Sequence, residues 1–197
     1  MELFFEIIMS VTSLVGLAFI IERGLALRWN RVMPRAVESA AENSRTAEDR
    51  SALRRLCEQS RAPLARLLLL AEKNMDLTQE ENEAALQTRA RQEIVHLERG
   101  LVILEIVVGI APLLGLVGTI YGMMALFGSL SESGLGDNTV LAKGISLILR
   151  FTMMGLLIAI PSLIAWNYYT KKVEMLAVEM ETVCSEFIRR QYRTLEK

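Results

Sequence analysis

One histidine, two cysteines and four prolines occur in 197 residues, and the net charge is only −1. With His96 alone, no pair of imidazoles at ligand spacing can form, so the common zinc motifs are excluded. His96 reads as a polar residue on a helix nearing a membrane. No nucleophile and base can be placed together either, since the one histidine stands apart from any pocket-forming segment. Gly115, Gly118 and Gly122 are followed by Met123 and Met124, where a phosphate loop needs a lysine and a hydroxyl. Gly134 and Gly136 lack the third glycine of a dinucleotide-binding turn. An enzyme is not expected, and neither a cofactor nor a nucleic-acid partner is implied.

Charge is also missing locally, and that absence is informative. No Asp, Glu, Lys or Arg falls in residues 7–21, 106–131 or 151–170, within a chain that is 52% hydrophobic. A hydrocarbon layer of roughly 30 Å is crossed by about 20 apolar helical residues. Three spans are therefore expected, at about residues 4–21, 101–128 and 141–168. The first reaches this length only by including Leu3 to Phe5 and Glu6. Its first charges are Glu2 and Glu6, and Arg23, Arg28, Arg31 and Arg35 follow the apolar run. A secretory signal has the reverse order, so a retained anchor is expected.

The same arginines orient the chain, because Lys and Arg are retained on the cytoplasmic side. Lys171 and Lys172 follow the third span, Arg89, Arg91 and Arg99 precede the second, and the connector at 129–140 holds Glu132 and Asp137 with no basic residue before Lys143. The expected order is an N-terminal membrane helix (1–29), a helical cytoplasmic domain (30–100), a second membrane helix (101–128), a short periplasmic loop (129–140), a third membrane helix (141–168) and a cytoplasmic C-terminal helix (169–197). The N-terminus is expected outside and the C-terminus inside, in a multi-pass membrane protein. Cys57 and Cys184 both fall on the reducing side, where a structural disulfide is not expected.

The soluble parts read as helix. Pro63 suits a first helical turn ahead of the strong helix formers in RAPLARLLLLAEK. TQEE at 78–81 matches a capping box, a hydroxyl followed three residues later by glutamate. Neither Gly nor Pro follows until Gly100, so this helix is expected to run unbroken into the second span. Beyond the third span, Val173, Leu176, Met180, Val183 and Phe187 recur at spacings that suit one face of a continuing helix. The fold class expected is an all-α integral membrane protein, three transmembrane helices with long helical cytoplasmic extensions in an oligomeric helical bundle.

The stretch IAPLLGLVGTIYGMM (110–124) carries a proline, three glycines and a threonine inside an apolar helix. In water each Gly costs about 1 kcal/mol relative to Ala, and Pro about 3. In lipid the penalty weakens, because small residues let helices approach and local adjustments tolerate proline. Gly115, Gly118 and Gly122 share one face of the second span, and Gly144, Thr152, Gly155, Ala159 and Ser162 form a small-residue stripe on the third. Pro112 and Pro161 stand towards the cytoplasmic halves. Ordinary close packing explains such stripes as well as a functional site does. The small faces are expected to be too extensive to bury within one three-helix protomer, which predicts an oligomer.

That stretch resembles the signature of the MotA/TolQ/ExbB proton-channel family, specifically its ExbB/TolQ branch. LAKGISLILRFTMMGLLIAIPSLIAWNYY (141–169) resembles the last span of that branch, and HLERGL and PLARLLLLA are similar too. The resemblance implies a homopentamer enclosing a pair of ExbD/TolR-type single-span partner helices, working with a TonB/TolA-type energy transducer among membrane lipids. It implies a proton channel and stator that drives outer-membrane transport, or outer-membrane integrity in a TolQ-like role. A non-conducting scaffold remains the rival. A flagellar-type stator would have four spans.

The matching pore threonines are Thr119 and Thr152, roughly 15 to 20 Å below the outer boundary at 1.5 Å per residue. At this depth the chain offers hydroxyls and no carboxylate, and hydroxyls do not titrate near neutral pH. A proton relay in a membrane uses Asp, Glu or His. The titrating group is therefore expected from another chain, and the resemblance implies an aspartate of the partner. Two positions depart from the family pattern. Leu147 stands where relatives often have a glutamate, and Arg150 lies two residues before Thr152. Arg150 either snorkels to the outer headgroups or faces the pore. Glu105 reads as a solvated acid at the inner interface, too far along the axis to pair with Arg150.

Overall fold

The computed structural model describes residues 2–44, 46–133 and 138–195, which form eight helices and no strand. They are α1 (Glu2–Ala26), α2 (Trp29–Val32), α3 (Arg35–Asn43), α4 (Ala47–Gln59), α5 (Pro63–Lys73), α6 (Gln79–Glu98), α7 (Leu101–Ser133) and α8 (Asn138–Leu195). At the expected outer connector, α7 reaches Ser133 and α8 starts at Asn138. Gly134, Gly136 and Asp137 lie outside the described residues. The chain divides into two compact units, Met1–Arg23 with Gly100–Tyr168, and Gly24–Arg99 with Tyr169–Lys197.

The first unit holds the three helices that are long and apolar enough to cross a membrane: α1, α7 and the first part of α8. Large apolar side chains such as Leu113, Met124, Leu157 and Ile164 are exposed on them. A helix apolar all round is buried in protein or in lipid. Inside the unit, Met9, Leu104, Ala111, Phe151 and Ala159 are buried. Phe5 of α1 stacks on Tyr121 of α7 with centroids 5.5 Å apart, and meets Phe151 of α8 edge-on at 5.8 Å. These aromatic contacts tie the start of α1 to both other helices. Further along, a Cβ placed on Gly16 would lie 3.2 Å from the Ser162 hydroxyl and 3.3 Å from Val107. Ser162 is itself buried and donates to the Ile158 carbonyl at 2.8 Å, so its hydroxyl needs no other partner.

The second unit is a water-type helical core built around α5. Pro63 begins this helix, as its missing N–H and fixed φ favour. Leu64, Ala65, Leu67, Leu68 and Ala71 are all buried. The core also takes Val37 and Ala41 of α3, Leu53 and Cys57 of α4, Leu86 of α6, and Leu176, Met180, Cys184, Phe187 and Ile188 of α8. The periodic residues beyond Lys172 thus continue α8 as one helix, and from Leu176 to Phe187 their shared face is this core's wall. Burial of each large side chain stabilises by about 1.5–3 kcal/mol. The end of α8 is held by polar contacts as well. Gln191 Nε2 donates to the Ser44 carbonyl at 2.9 Å, Arg190 to the Glu42 carbonyl at 2.6 Å, and the Tyr192 hydroxyl to the Leu77 carbonyl at 2.8 Å.

The capping box forms as expected, with Thr78 Oγ1 accepting from the Glu81 N–H at 3.3 Å and the Glu81 carboxylate accepting from the Thr78 N–H at 3.1 Å. The Thr78 N–H bond, together with one from the Thr78 hydroxyl at 2.9 Å, holds the Glu81 carboxyl below its usual pKa range. The expected unbroken run from Thr78 into the second span is corrected. The helix ends at Glu98, Arg99 and Gly100 turn, and α7 starts at Leu101. Gly100 lies against the Arg23 side chain, whose Cδ would be 2.8 Å from an added Cβ. A larger residue at this position would require the Arg23 side chain to shift.

Candidate functional site

The glycines of α7 and α8 interlock within one chain. A Cβ on Gly115 would fall 3.0 Å from the Phe151 carbonyl oxygen and 3.5 Å from the Cα atoms of Thr152 and Gly155. A Cβ on Gly155 would fall 2.8 Å from the Ala111 carbonyl and 3.4 Å from the Pro112 Cα. Here backbone meets backbone. One turn along α7 toward Ser133, Gly118 receives the Phe151 ring, with Cγ 2.7 Å from an added Cβ, and Gly122 receives Ile148 at 2.8 Å. Gly144 receives the Leu126 side chain. The expectation that these small faces need other protomers is therefore corrected, since the two helices of one protomer bury them against each other. Glycine lets the backbones approach as no larger residue could.

Thr119 and Thr152 flank this contact. Thr119 follows Gly118 and is half-buried, and its Oγ1 donates to the Leu116 carbonyl at 2.6 Å. Its lone pairs remain available as acceptors. Thr152 follows Phe151 and is exposed. No hydrogen bond to its hydroxyl forms among the described residues. Because α7 and α8 run in opposite directions past the Gly115–Thr152 contact, Thr119 lies about one turn, or roughly 6 Å, from Thr152 toward the Ser133 end of α7. Pro112 sits at the helix contact inside α7, and Pro161 lies exposed inside α8. Glu105 is exposed near the start of α7, away from this group.

Arg150 has a partner from the far end of the chain. Its Nη2 lies 2.9 Å from the Glu6 carboxylate on α1. A carboxylate of this chain thus does reach the depth of the threonines, contrary to the sequence expectation, because Arg150 is only about 3 Å along the axis from Thr152. In the sequence Glu6 and Arg150 are each a charge set in an apolar run, with nothing to show that they pair. Arg150 also borders an open groove of about 640 Å3 on one face of α8, with Ala142, Ile145, Ser146, Leu149 and Met153.

In the second unit, Glu93 of α6 is almost fully buried and joins two elements. It accepts from Arg66 of α5 through Nε at 2.9 Å and through Nη2, and pairs with Arg89 one turn earlier at 3.1 Å. Burial pushes its carboxyl up, but the Arg66 hydrogen bond and the charges of Arg66 and Arg89 outweigh that and hold it below the usual range. Cys57 and Cys184 are buried in the core, and desolvation raises their thiols to about 11 and about 12.

The sequence pattern of the MotA/TolQ/ExbB proton channel family matches residues 29–182. A putative biopolymer transport protein described as ExbB-like 3, from Synechocystis, is 32% identical over 167 residues, covering 80% of this chain and 76% of its own length. The biopolymer transport protein ExbB of Helicobacter pylori is 40% identical over 81 residues, 41% of this chain and 56% of that protein. The Tol-Pal system protein TolQ of Pseudomonas aeruginosa is 34% identical over 103 residues, 52% of this chain and 45% of that one. The matches thus span about half the length of the last two relatives. Three membrane-capable helices, a glycine-locked pair bearing two threonines, and a match over most of the chain converge: the protein belongs to the MotA/TolQ/ExbB proton channel family, in its ExbB/TolQ branch.

Proposed function

We propose that this chain is the ion-conducting stator subunit of an inner-membrane energising complex, of the ExbB type. Several copies, five by family resemblance, enclose single-span partner helices of the ExbD/TolR kind, and inward proton flow drives outer-membrane transport through a TonB/TolA-type transducer. The observation that carries this reading is the exposed Thr152 hydroxyl beside the α7–α8 glycine contact, with Thr119 one turn away. A bare hydroxyl at this depth is matched to water or a partner side chain better than to hydrocarbon. Neither threonine titrates and Glu6, the acid of this chain at that depth, is paired with Arg150, so the proton carrier is an acid on the partner, and each proton crossing releases about 2.3 kcal/mol per 100 mV. The N-terminus is periplasmic and the C-terminus cytoplasmic, on the arginine and lysine distribution.

A TolQ-type role in outer-membrane integrity is the second reading, supported by TolQ relatives whose identities overlap those of the ExbB relatives. Co-expression with each kind of single-span partner, followed by affinity purification and proton-flux measurement in liposomes, tests both readings. Stable co-purification and potential-driven flux are expected with the ExbD-type partner. A chain that binds the TolR-type partner alone would support the second reading. One that conducts with neither would be a scaffold.

A further inference from the structure

Glu6 and Arg150 form an ion pair between α1 and α8, 2.9 Å apart, with side chains 35% and 56% exposed. Both flanking helices give its depth. Phe5, next to Glu6, stacks on Tyr121. Tyr121 lies about 18 Å inward of the end of α7 at Ser133, and Arg150 about 18 Å inward of the start of α8 at Asn138. The pair therefore stands level with the middle of the charge-free run of α7 (106–131). It is also half a turn outward of Thr152. A lone arginine there is costly in lipid, and rings of Lys or Arg at a constriction favour anions over cations. Arg150 shares the α8 face of Ile145, Ser146, Leu149 and Met153, and Thr152 points the other way, so in an assembly of identical copies every Arg150 would stand at one level, a ring of positive charge roughly one helix width, about 10–12 Å, from the threonine face. The stator reading requires protons to pass it.

We propose that Glu6 determines cation selectivity by neutralising Arg150 beside the threonine site. Each copy carries its own counter-charge on α1, so the outer part of the pathway presents paired charges with no net positive field. This inference rests on the conducting-stator reading. It differs from simple structural pairing in one consequence: removing both charges restores what removing the acid alone destroys.

The test is proton flux and cation-to-anion selectivity of the full complex in liposomes, for wild type, Glu6→Gln, Arg150→Gln and the double variant. Glu6→Gln is expected to reduce flux about tenfold, and at effective ε of about 20 a unit charge about 12 Å from the proton path suffices for that. Arg150→Gln and the double variant are expected to conduct within about threefold of wild type, a difference of under 1 kcal/mol at the barrier. Wild-type flux and selectivity in Glu6→Gln would overturn the inference, as would a double variant as impaired as Glu6→Gln. If Glu6→Gln does not assemble, Arg150→Gln decides: retained flux supports the inference, and lost flux overturns it. A silent wild-type complex would instead refute the stator reading and this inference with it.

Discussion

Gly155→Ala tests the interlock of α7 and α8. The added methyl would meet the Ala111 carbonyl oxygen at 2.8 Å, the Gly115 Cα at 3.3 Å and the Pro112 Cα at 3.4 Å. All three are backbone atoms, so no rotamer change relieves the contact. The helices must separate by roughly half an ångström to restore ordinary spacing, loosening every neighbouring contact. Overpacking of this kind costs about 1–3 kcal/mol, and Ala returns about 1 kcal/mol through helix propensity. Gly109→Ala, on α7, gains the same propensity and meets nothing within 4 Å. The difference between the two variants isolates the clash, and about 2 kcal/mol is expected. At roughly 2–4 °C per kcal/mol for a chain of this size, thermal midpoints of the solubilised protein should differ by about 4–8 °C. Equal midpoints would refute the backbone contact as described.

Glu93→Gln should destabilise the protein by about 1–3 kcal/mol, discounted because both arginines are partly exposed. Since the folded carboxyl titrates below its ordinary 4.5, its contribution is complete above that value and lost as pH falls through the folded pKa. Glu93→Gln should therefore flatten the acid limb of a stability–pH profile, and an unchanged limb would contradict the assignment. Cys57 and Cys184, with thiols at about 11 and about 12, should resist maleimides at pH 8 until the chain is unfolded. They are consequently poor topology reporters, while Ser51→Cys and Ser131→Cys are exposed ones. Ser131→Cys should label in intact spheroplasts and Ser51→Cys only after lysis, and the opposite pattern would invert the topology. Thr78→Ala should remove the capping box of α6 and cost about 1 kcal/mol in urea or thermal unfolding; no loss would mean the cap is energetically idle.

The features legible in the sequence are the local ones. Long charge-free runs announce the membrane helices, Pro63 and the Thr78–Glu81 pair announce helix starts, and the Val173–Phe187 spacing announces a continuing face. The rest depends on contacts between distant segments. Gly100 reads as a tolerated helix residue until the Arg23 side chain is found against it. The glycine stripes reveal a wish for close approach but not the partner, which proves to be the neighbouring helix of the same chain. Arg150 carries no sign of Glu6, because nothing in the spacing of α8 specifies the register of α1. Thr119 and Thr152 were identified by family resemblance. Their spacing alone gives two hydroxyls beside small residues, a pattern that helix packing also produces.

The most direct test of the stator account is potential-driven proton flux through the purified complex carrying Thr119→Val and Thr152→Val together. Valine keeps the shape of threonine and removes the hydroxyl, so assembly with the partner should be preserved, as read by gel filtration. Proton flux is expected to fall at least tenfold (about 1.4 kcal/mol at the barrier), with most of it retained in the Thr→Ser pair. Wild-type proton flux through a normally assembled double-valine complex would contradict the account.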